Sequence, residues 1–139
     1  MKKRICLVVG VVLMCAFLAG MGGMDDSKKP VSLPETVDNY SVTLVDQSNA
    51  SMELKKFSCA GEVFFSGKKG EAQISISFEK ILSISFFLKE EVINAEIKLH
   101  DGALVPLTVD GDEVCYGALS YGAAKLYIRD IKSITFHKK

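Results

Sequence analysis

The sequence lacks tryptophan, has only two histidines and three prolines, and carries no excess charge of either sign. Over 139 residues, 17 basic side chains balance 17 acidic ones. Without a net positive field the chain would release few counterions from phosphates, so we do not expect a nucleic-acid partner. Hydrophobic residues make up 48% of the chain, which excludes wholesale disorder. This length predicts one compact domain or two very small ones.

Recognisable catalytic and metal-binding patterns are also missing. Neither His100 nor His137 falls in a metal-ligand spacing, and no Gly-x-Ser-x-Gly nucleophile motif is present. The acidic segment 110–113 has the oxygen ligands that Ca²⁺ prefers, but the related segment 59–62 keeps the turn glycine and loses most of the charge. We interpret segment 110–113 as a hairpin turn. We therefore predict no catalytic residue, no metal and no cofactor.

The first residues resemble a targeting segment. Three basic residues at positions 2–4 precede an uncharged apolar run, 5–18, and then a stretch rich in small residues. This order is typical of a secretory signal peptide, so we predict that residues 1–23 are removed and that the protein is periplasmic or secreted, without a membrane span after cleavage. Two alternatives stay open: an uncleaved membrane anchor through residues 5–24 and a lipid attached at Cys15.

The cysteine count depends on that cleavage. Of the four cysteines, Cys6 and Cys15 would leave with the signal, and Cys59 and Cys115 would remain. In an oxidising compartment the remaining two could form one disulfide bond, or they could be two separate buried thiols. Pairing requires Cα atoms within about 7 Å, which sequence spacing does not decide.

The exported part begins with a tether and continues as strands. Residues 24–39 are polar and contain two prolines, which predicts a flexible tether. From Tyr40 onward, apolar and polar residues alternate, as in 74–78, and turn signals recur every 8–15 residues. This pattern predicts an all-β fold.

The strand region repeats itself after fifty positions. When segment 54–86 is aligned with segment 104–136, seven of the 33 columns are identical, whereas chance would give about two. Both copies end in an apolar residue followed by x-x-Ile-x-Ser-Ile-x-Phe, whose spacing of three predicts one tight helical turn before the last strand. We predict two five-stranded half-repeats, 40–88 and 89–139, with strands at 40–46, 51–59, 62–67, 71–79, 82–88, 92–100, 103–109, 112–117, 122–129 and 132–137.

Five short strands with a tight turn before the last one resemble the small SH3-like or Sm-like barrel. The ending is also similar to that of uncharacterised exported bacterial β-repeat proteins. The resemblance covers about residues 40–137 and rests on core-packing motifs, so it implies a fold and carries no catalytic residue. It implies either tandem small barrels or one pseudo-symmetric ten-stranded sandwich, and binding or scaffolding as the general function.

Three tyrosines are the candidate partner-binding residues. Tyr116, Tyr121 and Tyr127 lie on or between consecutive strands of the second half, and tyrosine gives rigid amphipathic contact area. We predict a non-catalytic binding or structural module of the bacterial cell envelope, with an envelope protein, a glycan or a lipid as its partner. The alternatives are a carrier for a small apolar ligand and a hydrolase without a recognisable motif.

Overall fold

The computed structural model describes residues 30–34 and 39–137. The signal peptide predicted at 1–23 and most of the tether predicted at 24–39 lie outside these residues. All strands belong to the unit Val31–Lys139. They are β1 (Val42–Asp46), β2 (Ser51–Cys59), β3 (Phe64–Lys69), β4 (Ala72–Ser77), β5 (Ile81–Lys89), β6 (Val92–Leu99), β7 (Leu104–Val109), β8 (Val114–Leu119), β9 (Gly122–Tyr127) and β10 (Ile131–Phe136).

The prediction of an all-β fold is confirmed. Two short 3₁₀ turns, Phe78–Lys80 and Ile128–Asp130, precede β5 and β10, which confirms the tight turn predicted from the repeated ending. At the first of them the Ser77 hydroxyl accepts a hydrogen bond from the Glu79 backbone N–H at 3.4 Å, a common way to begin a helical turn. Within the described ranges, no helix has the length and apolar character needed to cross a membrane.

The ten strands form one sheet in the order β4-β3-β7-β6-β5-β10-β1-β2-β8-β9, and every neighbouring pair is antiparallel. The predicted arrangement of two five-stranded halves, 40–88 and 89–139, is not confirmed, because strands from the two segments are interleaved in the sheet. β3 pairs with β7, β2 pairs with β8, and β10 lies between β5 and β1. One group of neighbouring strands is the continuous segment β3–β7, and the other combines β1 and β2 with β8–β10.

The repeat is nevertheless visible in the strand order. Each strand has a counterpart five places along the chain, such as β6 for β1 and β10 for β5. When every strand is exchanged for its counterpart, the same strand order is obtained in reverse. At its centre, Ile84 of β5 lies opposite Ile134 of β10, and the fifty-residue shift makes these two positions equivalent. The two copies of the repeated ending therefore lie side by side at the centre of the sheet.

The inner face of the sheet encloses one hydrophobic core. Phe78, at the first 3₁₀ turn, lies between Phe136 at 4.9 Å, Tyr40 at 5.5 Å and Phe57 at 5.6 Å, measured between ring centroids. Edge-to-face and tilted ring pairs of this kind add to the stability gained by burial. The buried hydrophobic residues are Tyr40, Val42, Leu44, Leu54, Phe57, Cys59, Phe65, Phe78, Ile81, Ile84, Phe86, Ala95, Ile97, Leu107, Cys115, Ile128, Ile131, Ile134 and Phe136.

Two glycines have a role that differs from the predicted one. The predicted strands 62–67 and 112–117 end at Gly67 and Gly117, but both glycines lie inside strands, β3 and β8. A Cβ atom on Gly117 would come within 2.6 Å of the Leu54 Cβ, and one on Gly67 within 2.9 Å of the Leu107 Cβ. These glycines are needed because neighbouring strands approach closely, so the predicted ends of β3 and β8 were two residues too early.

Candidate binding groove

The three predicted tyrosines are not placed in one patch. In β8, Cys115 and Gly117 face the core, so Tyr116 faces outward. Tyr116 is paired with Lys125, and Tyr127 with Val114, which puts Tyr116 and Tyr127 on the same outer face of the β8–β9 hairpin. Tyr121 lies instead in the two-residue turn between these strands.

The ring of Tyr127 is occupied within the chain. The guanidinium of Arg129 lies 4.4 Å from the ring centroid, and the Lys125 Nζ lies 5.8 Å from it. Arg129 also forms an ion pair with Asp112. Cations over an aromatic face are stabilised by the ring quadrupole. This leaves Tyr121, with 85% of its surface exposed, as the tyrosine that a partner can reach most fully.

Tyr121 lines a groove where β2 and β8 separate. Residues 51–54 of β2 pair with β1, whereas pairing with β8 begins only at Lys55, opposite Ala118. The register shifts between Lys55 and Ser58, and Lys56 has a φ of 52°, so β2 bends at a bulge. Beside this separation lies a cavity of about 680 Å³ lined by residues 51–55, residues 118–121, Ser41, Val42 and His137.

His137 lines this groove, and its side chain is exposed. Its Nε2 lies 2.6 Å from the Thr43 Oγ1, and its backbone N–H donates to the Ser41 carbonyl at 2.9 Å. The sequence carried no signal for this position, because it depends on the pairing of β1 with β10. The groove thus combines aliphatic side chains with hydroxyl, imidazole and phenol groups and with the charged Glu53 and Lys55, a combination suited to recognition.

A disulfide bond joins the same two strands at their other end. Cys59 and Cys115 lie directly opposite each other in β2 and β8, and both are buried. The neighbouring pair is Ser58 and Tyr116; the Ser58 hydroxyl is buried and has no hydrogen-bond partner among the described residues. The β2–β8 contact is therefore covalently fixed at one end and open at the other.

A smaller cavity lies at the counterpart position, where β3 and β7 pair only through Lys68 and Thr108. It measures about 440 Å³ and contains no tyrosine among its lining residues. Glu113 lines it, and burial, together with the nearby Asp110 charge, raises the pKa of the Glu113 carboxyl above its ordinary 4.5. This cavity differs from the groove beside Tyr121 because no aromatic side chain of the described residues lines it and because it has two carboxyl groups, Asp110 and Glu113.

The acidic segment 110–113 forms a turn. The Asp110 carboxylate accepts a hydrogen bond from the Asp112 backbone N–H at 2.9 Å, and Asp112 pairs with Arg129. Within residues 30–34 and 39–137, no three His, Cys, Asp or Glu side chains are grouped closely enough to hold a metal ion. The Asp110 carboxylate thus serves local turn geometry, and the Asp112 carboxylate pairs with Arg129.

Comparison with known proteins gives a family. A family model described as "Uncharacterised protein" matches residues 36–139. The chain belongs to that family. It is also similar to an "Uncharacterized protein" of Aquifex aeolicus (strain VF5), with 23% identity over 111 residues that cover 79% of this chain and 84% of that protein. No solved structure matches the chain.

Proposed function

We propose that this protein is a non-catalytic binding module that holds an extended segment of a partner protein in the groove between β2 and β8. The observation that carries the proposal is the separation of the two strands. Among the described residues, no strand pairs with the side of segment 51–54 that faces away from β1. Free backbone groups beside a groove are the usual template for adding a peptide strand.

The lining of the groove supports a peptide ligand. Tyr121 can cover one side chain of the peptide with a rigid aromatic ring, and tyrosine is enriched among residues that dominate binding energy. Met52 and Leu119 provide apolar contacts, whereas His137 provides a polar group at the wall. Because the bulge and the disulfide fix β2 against β8, little ordering of the groove would oppose binding.

We also propose that the protein is located outside the cytoplasm. The charged, apolar and small-residue order of residues 1–23 supports export. The bond between Cys59 and Cys115 supports an oxidising compartment, because such bonds rarely persist in the cytosol. The partner would then be a protein of the periplasm or cell envelope.

We also propose that the sheet contains two units that resemble small SH3-like barrels. In each group of neighbouring strands, the strand after a 3₁₀ turn pairs with the first strand of a hairpin: β10 with β1, and β5 with β6. The second strand of that hairpin then leads to the remaining two strands, in the orders β10-β1-β2-β8-β9 and β5-β6-β7-β3-β4. This is the order of SH3-like barrels, so it supports two such units that share one chain.

Selection of peptides tests the binding function. Extended peptides from a random library would be selected on the protein, and their Kd measured by fluorescence polarisation. Replacing Tyr121 by Ala should weaken binding about tenfold or more, whereas Tyr127→Ala on the outer face should change it little. Methylation of alternate peptide nitrogens should abolish binding if backbone pairing holds the ligand. The proposal would be refuted if no peptide were enriched, or if the Tyr121→Ala variant bound the selected peptides as tightly as the wild type.

A further inference from the structure

The edge strand β4 has a composition that leaves it open to pairing. In the described part of the chain, β4 pairs with β3 alone. Its six residues, Ala-Gln-Ile-Ser-Ile-Ser, include no charged residue and no proline. The opposite edge, β9, carries the exposed Lys125. Natural sheets protect their edges with lysine, proline or bulges. Strand β4 has none of these, so its edge is available for pairing with another strand.

The hydrogen-bonding direction of β4 follows from its hairpin. Lys69 and Ala72 close the two-residue turn between β3 and β4, so they form a hydrogen-bonded pair. Because the bonding direction alternates along an antiparallel strand, Ile74 and Ile76 bond back to β3. Gln73, Ser75 and Ser77 then direct their N–H and C=O groups away from the sheet. The free edge therefore carries three regularly spaced donor–acceptor pairs.

The sequence of β4 is complementary to itself in the antiparallel direction. When two copies pair around Ser75, that residue lies opposite its own copy, and Gln73 lies opposite Ser77. These are the residues whose backbone groups are free. The same register places Ile74 opposite Ile76 on the other face, where both side chains are only half-buried, so apolar contacts are also matched.

We propose that β4 pairs with β4 of a second copy of this chain and joins two ten-stranded sheets into one. A two-fold interface requires that one surface complement itself, and β4 does so on both of its faces and in its backbone bonds. The six residues of β4 carry no charge, so no like charges lie opposite each other within the paired strands. A strand from a different protein would use the backbone bonds alone and is the competing outcome of the test.

Charge substitution at the two-fold position tests this pairing. The chain recovered from an exporting bacterial host would be studied by sedimentation equilibrium over a series of concentrations. The wild type should be a dimer, whereas Ser75→Lys and Ser75→Glu should each raise the dimer Kd about tenfold or more, because like charges lie opposite each other. An equimolar mixture of the two variants should form a mixed dimer. Ser85→Lys, on an exposed serine of the central strand β5, is the matched control and should remain dimeric.

Thermal unfolding followed by circular dichroism would verify that each variant is folded. A wild type that is monomeric throughout the series would overturn the proposal, as would a folded Ser75→Lys variant that dimerises as tightly as the wild type. If β4 instead pairs with a strand of a different protein, the wild type would be monomeric and would bind peptides that pair with its edge. The Ser75→Lys substitution would then weaken this peptide binding. Peptide binding in the Tyr121 groove is a separate measurement, so either proposal can fail alone.

Discussion

The disulfide between Cys59 and Cys115 should supply a large share of the stability of this fold. The bond joins residues 56 positions apart. The entropy of closing a loop of that length corresponds to about 4 kcal/mol at about 25 °C, because the cross-link restricts the unfolded chain. Since a domain of this size has a total stability of about 5–15 kcal/mol, loss of the bond should bring it close to unfolding.

Denaturation in urea measures the effect. The chain contains no tryptophan but four tyrosines, so unfolding would be followed by tyrosine fluorescence and by circular dichroism. The oxidised wild type would be compared with the reduced wild type and with the double variant Cys59→Ala/Cys115→Ala. We expect the free energy of unfolding to fall by about 4 kcal/mol on reduction, and by at least as much in the double variant, which also removes two buried sulfur atoms.

Reduction of the disulfide could contradict the predicted loss of stability. A loss below about 1 kcal/mol, with free thiols present only after reduction, would mean that the unfolded chain is already compact near these residues. Free thiols detected before reduction would mean instead that the two cysteines are not bonded in the protein. Either result would refute the predicted magnitude.

Four further substitutions have expected effects on the free energy of unfolding, measured by urea denaturation. Gly117→Val should cost about 1–3 kcal/mol through overpacking, whereas Gly122→Ala, with open space around its Cβ position, should be nearly neutral; equal effects would contradict the close strand approach. Ser58→Ala removes a buried hydroxyl that has no partner among the described residues and should stabilise the fold by up to about 1 kcal/mol. The raised pKa of Glu113 means that the folded state binds its proton more tightly, so stability falls as the pH rises above about 4.5. Glu113→Gln should reduce this loss of stability with rising pH and should stabilise the protein at neutral pH. If the free energy of unfolding of the variant depends on pH as it does in the wild type, the result would count against the burial of this carboxyl.

Local patterns predicted most of the secondary structure. The alternation of apolar and polar residues identified all ten strands, and the spacing of three in the repeated ending identified both 3₁₀ turns. The early ends predicted for β3 and β8 concern Gly67 and Gly117, which resemble turn residues in sequence. Their role is set by strands that approach from elsewhere in the chain, and no local pattern contains that information.

The grouping of the strands could not be predicted for a related reason. A repeat makes the two copies of each strand chemically similar, so a strand such as β2 has two partners of nearly equal suitability, β3 and β8. The candidate site was predicted only through Tyr121. The groove itself requires the bulge at Lys56 and the separation of two strands, and His137 reaches it only because β10 pairs with β1.

The arrangement of the strands also has a consequence for the time course of folding. Segment 64–109 contains five strands that pair among themselves, so it can assemble soon after it leaves the ribosome or the membrane. The other five cannot, because Val42 must meet Phe136, 94 positions later in the chain (136 − 42). Pairings of such high contact order are slow. Folding should therefore proceed from the middle of the chain outward. Strands β1 and β2 can join the complete sheet only after β10 has been synthesised and has paired with β1.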